Sequence, residues 1–132
     1  MSGLGGIPVT AVLRAESLER ATKFYTEALG LRPVDSAAPG MQARFEAGNG
    51  TMLMVYERPG MPAPQNTTLG FAVPADRFDA LVAELRSNGV TFEDYDIPEI
   101  GLKTVGGVAT MGEAKSAWFM DTEGNIISLS TM

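Results

Sequence analysis

The chain repeats itself, and the repeat limits what it can fold into. A helix N-cap candidate at Ser17 recurs as Asp76, and a glycine stop at Gly30 recurs as Gly89, 59 residues apart both times. A short oxygen side chain suits a helix start because it takes an orphan N–H. Glycine suits the stop because it accepts a left-handed backbone. Between these marks Leu18, Ala21, Phe24, Tyr25, Ala28 and Leu29 fall at helical spacing, as do Phe78, Leu81, Val82 and Leu85. The preceding strands, Ala11-Val12-Leu13 and Leu69-Gly70-Phe71, match within one residue of the same offset. A module of ~60 residues buries too little surface to be comfortable alone, so the two should pack together.

Alternating patterns predict strands over residues 7–15, 31–35, 42–47 and 51–56 in the first half. In the second half they predict strands over 68–73, 90–94, 115–120 and 125–130, with a short one around 105–111. Three prolines and a glycine between Arg58 and Gln65 read as a linker. The expectation is an α+β fold of two βαβββ modules, about 7–57 and 67–131, joined by residues 58–66. Each sheet would bury one face on its helix, and the mixed faces would curve around a cleft.

Composition narrows the chemistry. Among 132 residues there is no histidine and no cysteine. That removes disulfides, thiol nucleophiles, thiolate-held metals, the commonest metal ligand and the commonest neutral-pH base. Any metal would need oxygen ligands, as hard cations do. A formal charge of −6 leaves nonspecific nucleic-acid binding without its electrostatic source. No apolar run reaches the ~20 residues of a membrane span. Residues 1–6 lack a charged or apolar leader pattern, so the chain reads as cytoplasmic.

Three stretches resemble the vicinal oxygen chelate superfamily, also called the glyoxalase, bleomycin-resistance and dioxygenase superfamily. Leu18 to Tyr25 with Ala28-Leu29-Gly30-Leu31 is similar to the family's first helix and its ending. Thr68 to Val73 looks like the strand that opens the second module, and Phe119 to Ile127 is similar to the closing "F.DPdGN" hairpin. That hairpin also has a local reason, since Asp121 can bond N–H groups ahead of it and Gly124 can take positive φ. Asp121 and Glu123 therefore read as structural or solvated residues.

In metal-using members the resemblance implies four ligands, on the first and last strand of each module. Carried onto this chain, three of these positions are Thr10, Thr68 and Ser128. The fourth falls near residues 54–57, where Glu57 is the one available carboxylate. Hydroxyls are poor ligands for a divalent cation unless carboxylates neutralise it. The expectation is no metal and no cofactor, with metal-dependent glyoxalase or dioxygenase activity disfavoured.

Other cleft candidates follow from strand parity and loop length. Arg14 shares parity with Thr10, so it faces the cleft or ends as a surface arginine. Trp118 is either core or a platform for a flat ligand. Tyr56 is a further candidate, whereas Tyr25 sits in the helix stripe and reads as core. The segment 92–104 is long for a compact chain and carries Tyr95 and Lys103; it reads as a binding lid or a solvated loop. The leading function is a metal-free protein that binds a small aromatic or cationic molecule. The alternatives are a metal-independent isomerase or lyase, using Glu57, Asp96, Lys103 or a tyrosine as base, and a pseudo-enzyme acting as a partner subunit. The resemblance also implies a homodimer; nucleic-acid and membrane partners are not expected.

Overall fold

A computed structural model describes residues 3–36 and 38–131. Strand β1 (Thr10–Ala15) leads into helix α1 (Leu18–Lys23), followed by β2 (Arg32–Val34), β3 (Gln42–Glu46) and β4 (Met52–Glu57). The second half begins with β5 (Thr67–Val73) and α2 (Phe78–Ser87), then β6 (Asp96–Ile97), β7 (Leu102–Val105), β8 (Val108–Met111), β9 (Ala114–Met120) and β10 (Ile126–Thr131). The strands form two mixed sheets, ordered β1-β4-β3-β2 and β5-β10-β9-β8-β7-β6. In each, the first strand of the half pairs in parallel with the last. The four strands β5-β10-β9-β8 thus repeat the plan of β1-β4-β3-β2, and β7 and β6 extend it.

Several helix boundaries follow the expected chemistry. The Ser17 hydroxyl accepts from the Arg20 N–H at 3.3 Å, and Gly30 and Gly89 have φ of 74° and 93°. The helix over residues 18–29 does not stay regular. Its last turn widens into a π-helical turn over Phe24–Ala28, in which the Leu29 N–H reaches back to the Phe24 carbonyl. Asp76 does not cap α2. A 3₁₀ turn over Ala75–Arg77 comes first, and α2 starts without a side-chain cap.

The segment 90–94 is not a strand. Phe92 forms one bridge to Phe119, and the Glu93 N–H donates to the Trp118 carbonyl. The chain then turns, because the Asp94 carboxylate accepts from the Thr104 hydroxyl and the Gly107 N–H, both at 2.8 Å. Those bonds hold Asp94 below the usual carboxylate range. They also accompany the β6–β7 extension that stands in place of the expected loop.

The core faces of both sheets and both helices share one apolar cluster. Leu13, Tyr25, Phe45 and Val55 from the first half meet Val73, Phe78, Phe119 and Ile127 from the second. Tyr25 stacks at 5.6 Å from Phe45, and Phe24 lies 6.4 Å from Phe119. Joining the modules through these aromatics supplies the burial that neither half has alone.

Candidate functional site

Strand parity divides each sheet into a core face and an outer face. In the first sheet Leu13, Leu53 and Val55 are buried, while Thr10, Val12, Met52, Met54 and Tyr56 point the other way. In the second sheet Ala117, Phe119, Ile127 and Leu129 are buried, while Thr68, Gly70, Trp118, Ser128 and Ser130 form the outer face.

The second outer face is the better built of the two. Trp118 sits directly opposite Ser128 across the β9–β10 ladder, and Ser128 is opposite Gly70 on β5. A Cβ at Gly70 would meet the Ser128 Oγ at 2.9 Å, so glycine keeps this floor low. The Tyr95 ring lies edge-on to Trp118, with centroids 5.6 Å apart. Partial burial pushes the Tyr95 hydroxyl above its ordinary pKa, with the Glu93 charge adding to it, so it stays protonated and able to donate. Ser116 and Ser130 hydroxyls meet at 2.9 Å on the same face. Thr68 lies beside the register irregularity between Ile126 and Ile127. The result is an aromatic pair beside a row of hydroxyls.

The first outer face carries Thr10, opposite Met52, and Tyr56, opposite both Arg14 and Gln42. Glu57 is a correction. It pairs with Ala15 on the core-face side of β4, and its carboxylate accepts from the Leu18 N–H at the start of α1 at 2.9 Å. Period-2 alternation forces this, because Met54 and Tyr56 face outward. Lys103 is exposed on β7 opposite Asp96, on the two-stranded extension. No hydrogen bond, ion pair or aromatic contact among the described residues joins Thr10 or Tyr56 to Thr68, Trp118 or Ser128.

Arg14 is neither a free cleft cation nor a surface arginine. It is buried, and its Nη1 donates to the Glu123 carbonyl at 2.6 Å. This opens a network the sequence did not reveal. The Asn125 amide donates to the Arg14 carbonyl and to Asp121, both at 2.8 Å. Asp121 also accepts from the Tyr25 hydroxyl at 2.6 Å and from the Glu123 and Asn125 N–H groups at 2.8 Å. Glu123 accepts from the Ser17 N–H at 2.8 Å and from Arg20 at 2.7 and 2.9 Å. Burial alone would raise the Glu123 carboxyl, but Arg20, the Ser17 N–H and the Thr122 hydroxyl outweigh it and hold it at about 2. Burial, with the Asp121 charge beside it, pushes the Tyr25 hydroxyl far above its ordinary range. The closing hairpin of the second module is thereby pinned to the β1–α1 corner of the first. One signal was available: a tyrosine inside an apolar helix stripe needs a partner for its hydroxyl.

Two βαβββ modules, each with one buried and one open face, define the class of fold. The sequence profile of the Glyoxalase/Bleomycin resistance protein/Dioxygenase superfamily matches residues 7–129, and the chain belongs to that superfamily. Solved structures agree on the architecture. A glyoxalase/dioxygenase from Nostoc punctiforme aligns with a TM-score of 0.71 at 17% identity, over 99% of this chain and 94% of that one. The fosfomycin resistance protein FosX from Mesorhizobium loti aligns at 0.66 and 15% identity, over 97% and 92%. A lactoylglutathione lyase from Agrobacterium tumefaciens aligns at 0.66 and 17%, over 96% and 93%. At such identities the likeness is one of fold. The search of curated proteins returned no match.

The family's metal does not fit the donors present. Of the four positions that the resemblance implies, three are the hydroxyls Thr10, Thr68 and Ser128, and the outer face of β4 offers methionine and tyrosine rather than Glu57. Among the described residues no group of three histidine, cysteine, aspartate or glutamate side chains comes together. A divalent cation on neutral hydroxyls would keep its charge uncompensated.

Proposed function

We propose that the protein binds a small aromatic molecule on its outer sheet faces without a metal, in a cleft completed by a second copy of the chain. The observation that carries this reading is the Trp118–Tyr95 edge-to-face pair, with Trp118 beside Ser128 on the same face, at a position where the resemblance implies a metal ligand. An aromatic ring packs against such a pair, and the row of hydroxyls takes its oxygen substituents. A neutral or anionic ligand suits this face better than a cationic one. Across the outer face of β3, Arg44 stands opposite Met54, and the carboxylate of Glu46 is already held by Arg32.

The second copy follows from what is left open. β1 and β5 are each paired on one edge only. On the first outer face Val12 is 49% exposed, beside the half-buried Met52 and Met54. Bare edges and apolar faces are normally covered. Placing the first outer face of one copy over the second outer face of the other would cover both and close the cleft. Mixing Tyr56→Ala chains with Trp118→Ala chains tests this. If the cleft lies between copies, mixed dimers hold one intact site and regain aromatic-ligand binding lost in each parent. A mixture that binds no better than its parents would contradict the shared cleft.

A further inference from the structure

We infer that the protein carries a second ligand site, away from the outer faces, that takes a small aromatic monocarboxylate. A cavity of about 230 Å³ opens between the modules on the core-face side. The first module contributes Leu29 and Leu31 to its wall, and the second contributes Phe71, Leu81, Leu85 and Leu129. Leu29, Leu31, Phe71 and Leu81 pack against the core yet stay only partly buried, so the cavity is a groove at the edge of the core that opens to solvent beside Arg77. A cavity of roughly 150 Å³ lined by such side chains accommodates a benzene ring. The space here suits a phenyl ring with a short side chain.

The polar end is equally defined. Arg77, Leu81 and Leu85 all line the cavity and follow one another at four-residue intervals on α2 and the turn before it, so they form one stripe. Arg77 is exposed, and among the described residues its side chain has no ion pair and no hydrogen bond. Of the acids beside it, Asp79 is held by Lys115 at 2.9 Å and Asp76 is exposed, and neither lines the cavity. An apolar body with one carboxylate satisfies both ends: the ring fills the groove and the carboxylate meets Arg77 in a charge-assisted pair.

The test is a titration of the full chain with 3-phenylpropanoate and with 3-phenylpropanamide, followed by amide NMR shifts. The acid should move the Phe71, Leu81 and Leu85 signals and bind about tenfold tighter than the amide. Arg77→Gln, at an exposed position, should reduce the acid to the affinity of the amide and leave the amide unchanged. Leu81→Trp should weaken both by about tenfold or more by filling the space. Trp118→Ala should change neither. The proposal is overturned if the shifts centre on Trp118 and Tyr95, if Arg77→Gln leaves acid binding unchanged, or if no saturable shift occurs at millimolar ligand.

Discussion

The boundary between the two modules has two unlike ends. At one, Arg14, Tyr25, Asp121, Glu123 and Asn125 are buried and tied by short hydrogen bonds across the boundary. At the other, around Leu31, Ala47, Gly48 and Phe71, the modules part over apolar walls and leave grooves of about 230 and 440 Å³. The pinned end constrains how the modules meet, since its buried polar groups, bonded except at Arg14 Nε and Asn125 Oδ1, tolerate few other arrangements. The open end and the outer faces carry little such constraint. Substitutions at the pin should therefore cost stability, and substitutions on the outer faces should cost binding.

The largest effect is expected at Asp121. Asp121→Ala removes the acceptor for the Tyr25 hydroxyl, two backbone N–H groups and the Asn125 amide. Urea denaturation should show a loss of roughly 4 kcal/mol. A loss below about 1 kcal/mol would mean the pin does not hold the modules together.

Glu123 should give the next largest effect, with a pH signature. Its folded-state carboxyl lies at about 2 against an ordinary 4.5. A depressed carboxyl contributes stability that is complete above about pH 4.5 and is lost as pH falls toward 2. That shift corresponds to roughly 3 kcal/mol, reduced by solvent around the half-exposed Arg20. Glu123→Gln should destabilise the protein at neutral pH and flatten the acid limb of its stability profile. An unchanged acid limb would remove Glu123 from the account.

Gly107 tests the extension of the second sheet. Its φ is +83°, and an added Cβ would lie 2.7 Å from the Phe92 Cβ. Gly107→Ala should cost about 2 kcal/mol in thermal or urea unfolding. The smallest stability effects belong to the outer face. Thr68→Val and Ser128→Ala should each stay within about 0.5 kcal/mol of wild type. A large loss at either would blur the contrast between the two regions.

The fold was largely legible because its cues are local. Ser17, Gly30 and Gly89 act as the sequence predicted, and the hairpin from Asp121 to Gly124 turns as its residues demand. What failed depended on distant partners. The strand expected over residues 90–94 gave way because Asp94 bonds Thr104 and Gly107, more than nine residues ahead. Asp76 had the right chemistry for a cap, but the chain enters α2 through a 3₁₀ turn. The candidate site divided in the same way. The alternation that placed Thr10, Thr68 and Ser128 outward also sends Glu57 inward, once the β1–β4 register is known. Arg14 was an open question on its own strand, and its position is set by a carbonyl 109 residues away.

The most direct test of the account is a thermal-shift comparison of metal-stripped wild type and Trp118→Ala. Each is screened with aromatic compounds, alone and with divalent metal added. Ligand at about a hundredfold excess over its dissociation constant adds about 2.7 kcal/mol of apparent stability. The account predicts aromatic compounds that stabilise metal-stripped wild type, no gain from added metal, and loss of the shift in Trp118→Ala. Stabilisation that requires a divalent metal, and that Thr68→Val or Ser128→Ala abolishes, would contradict it.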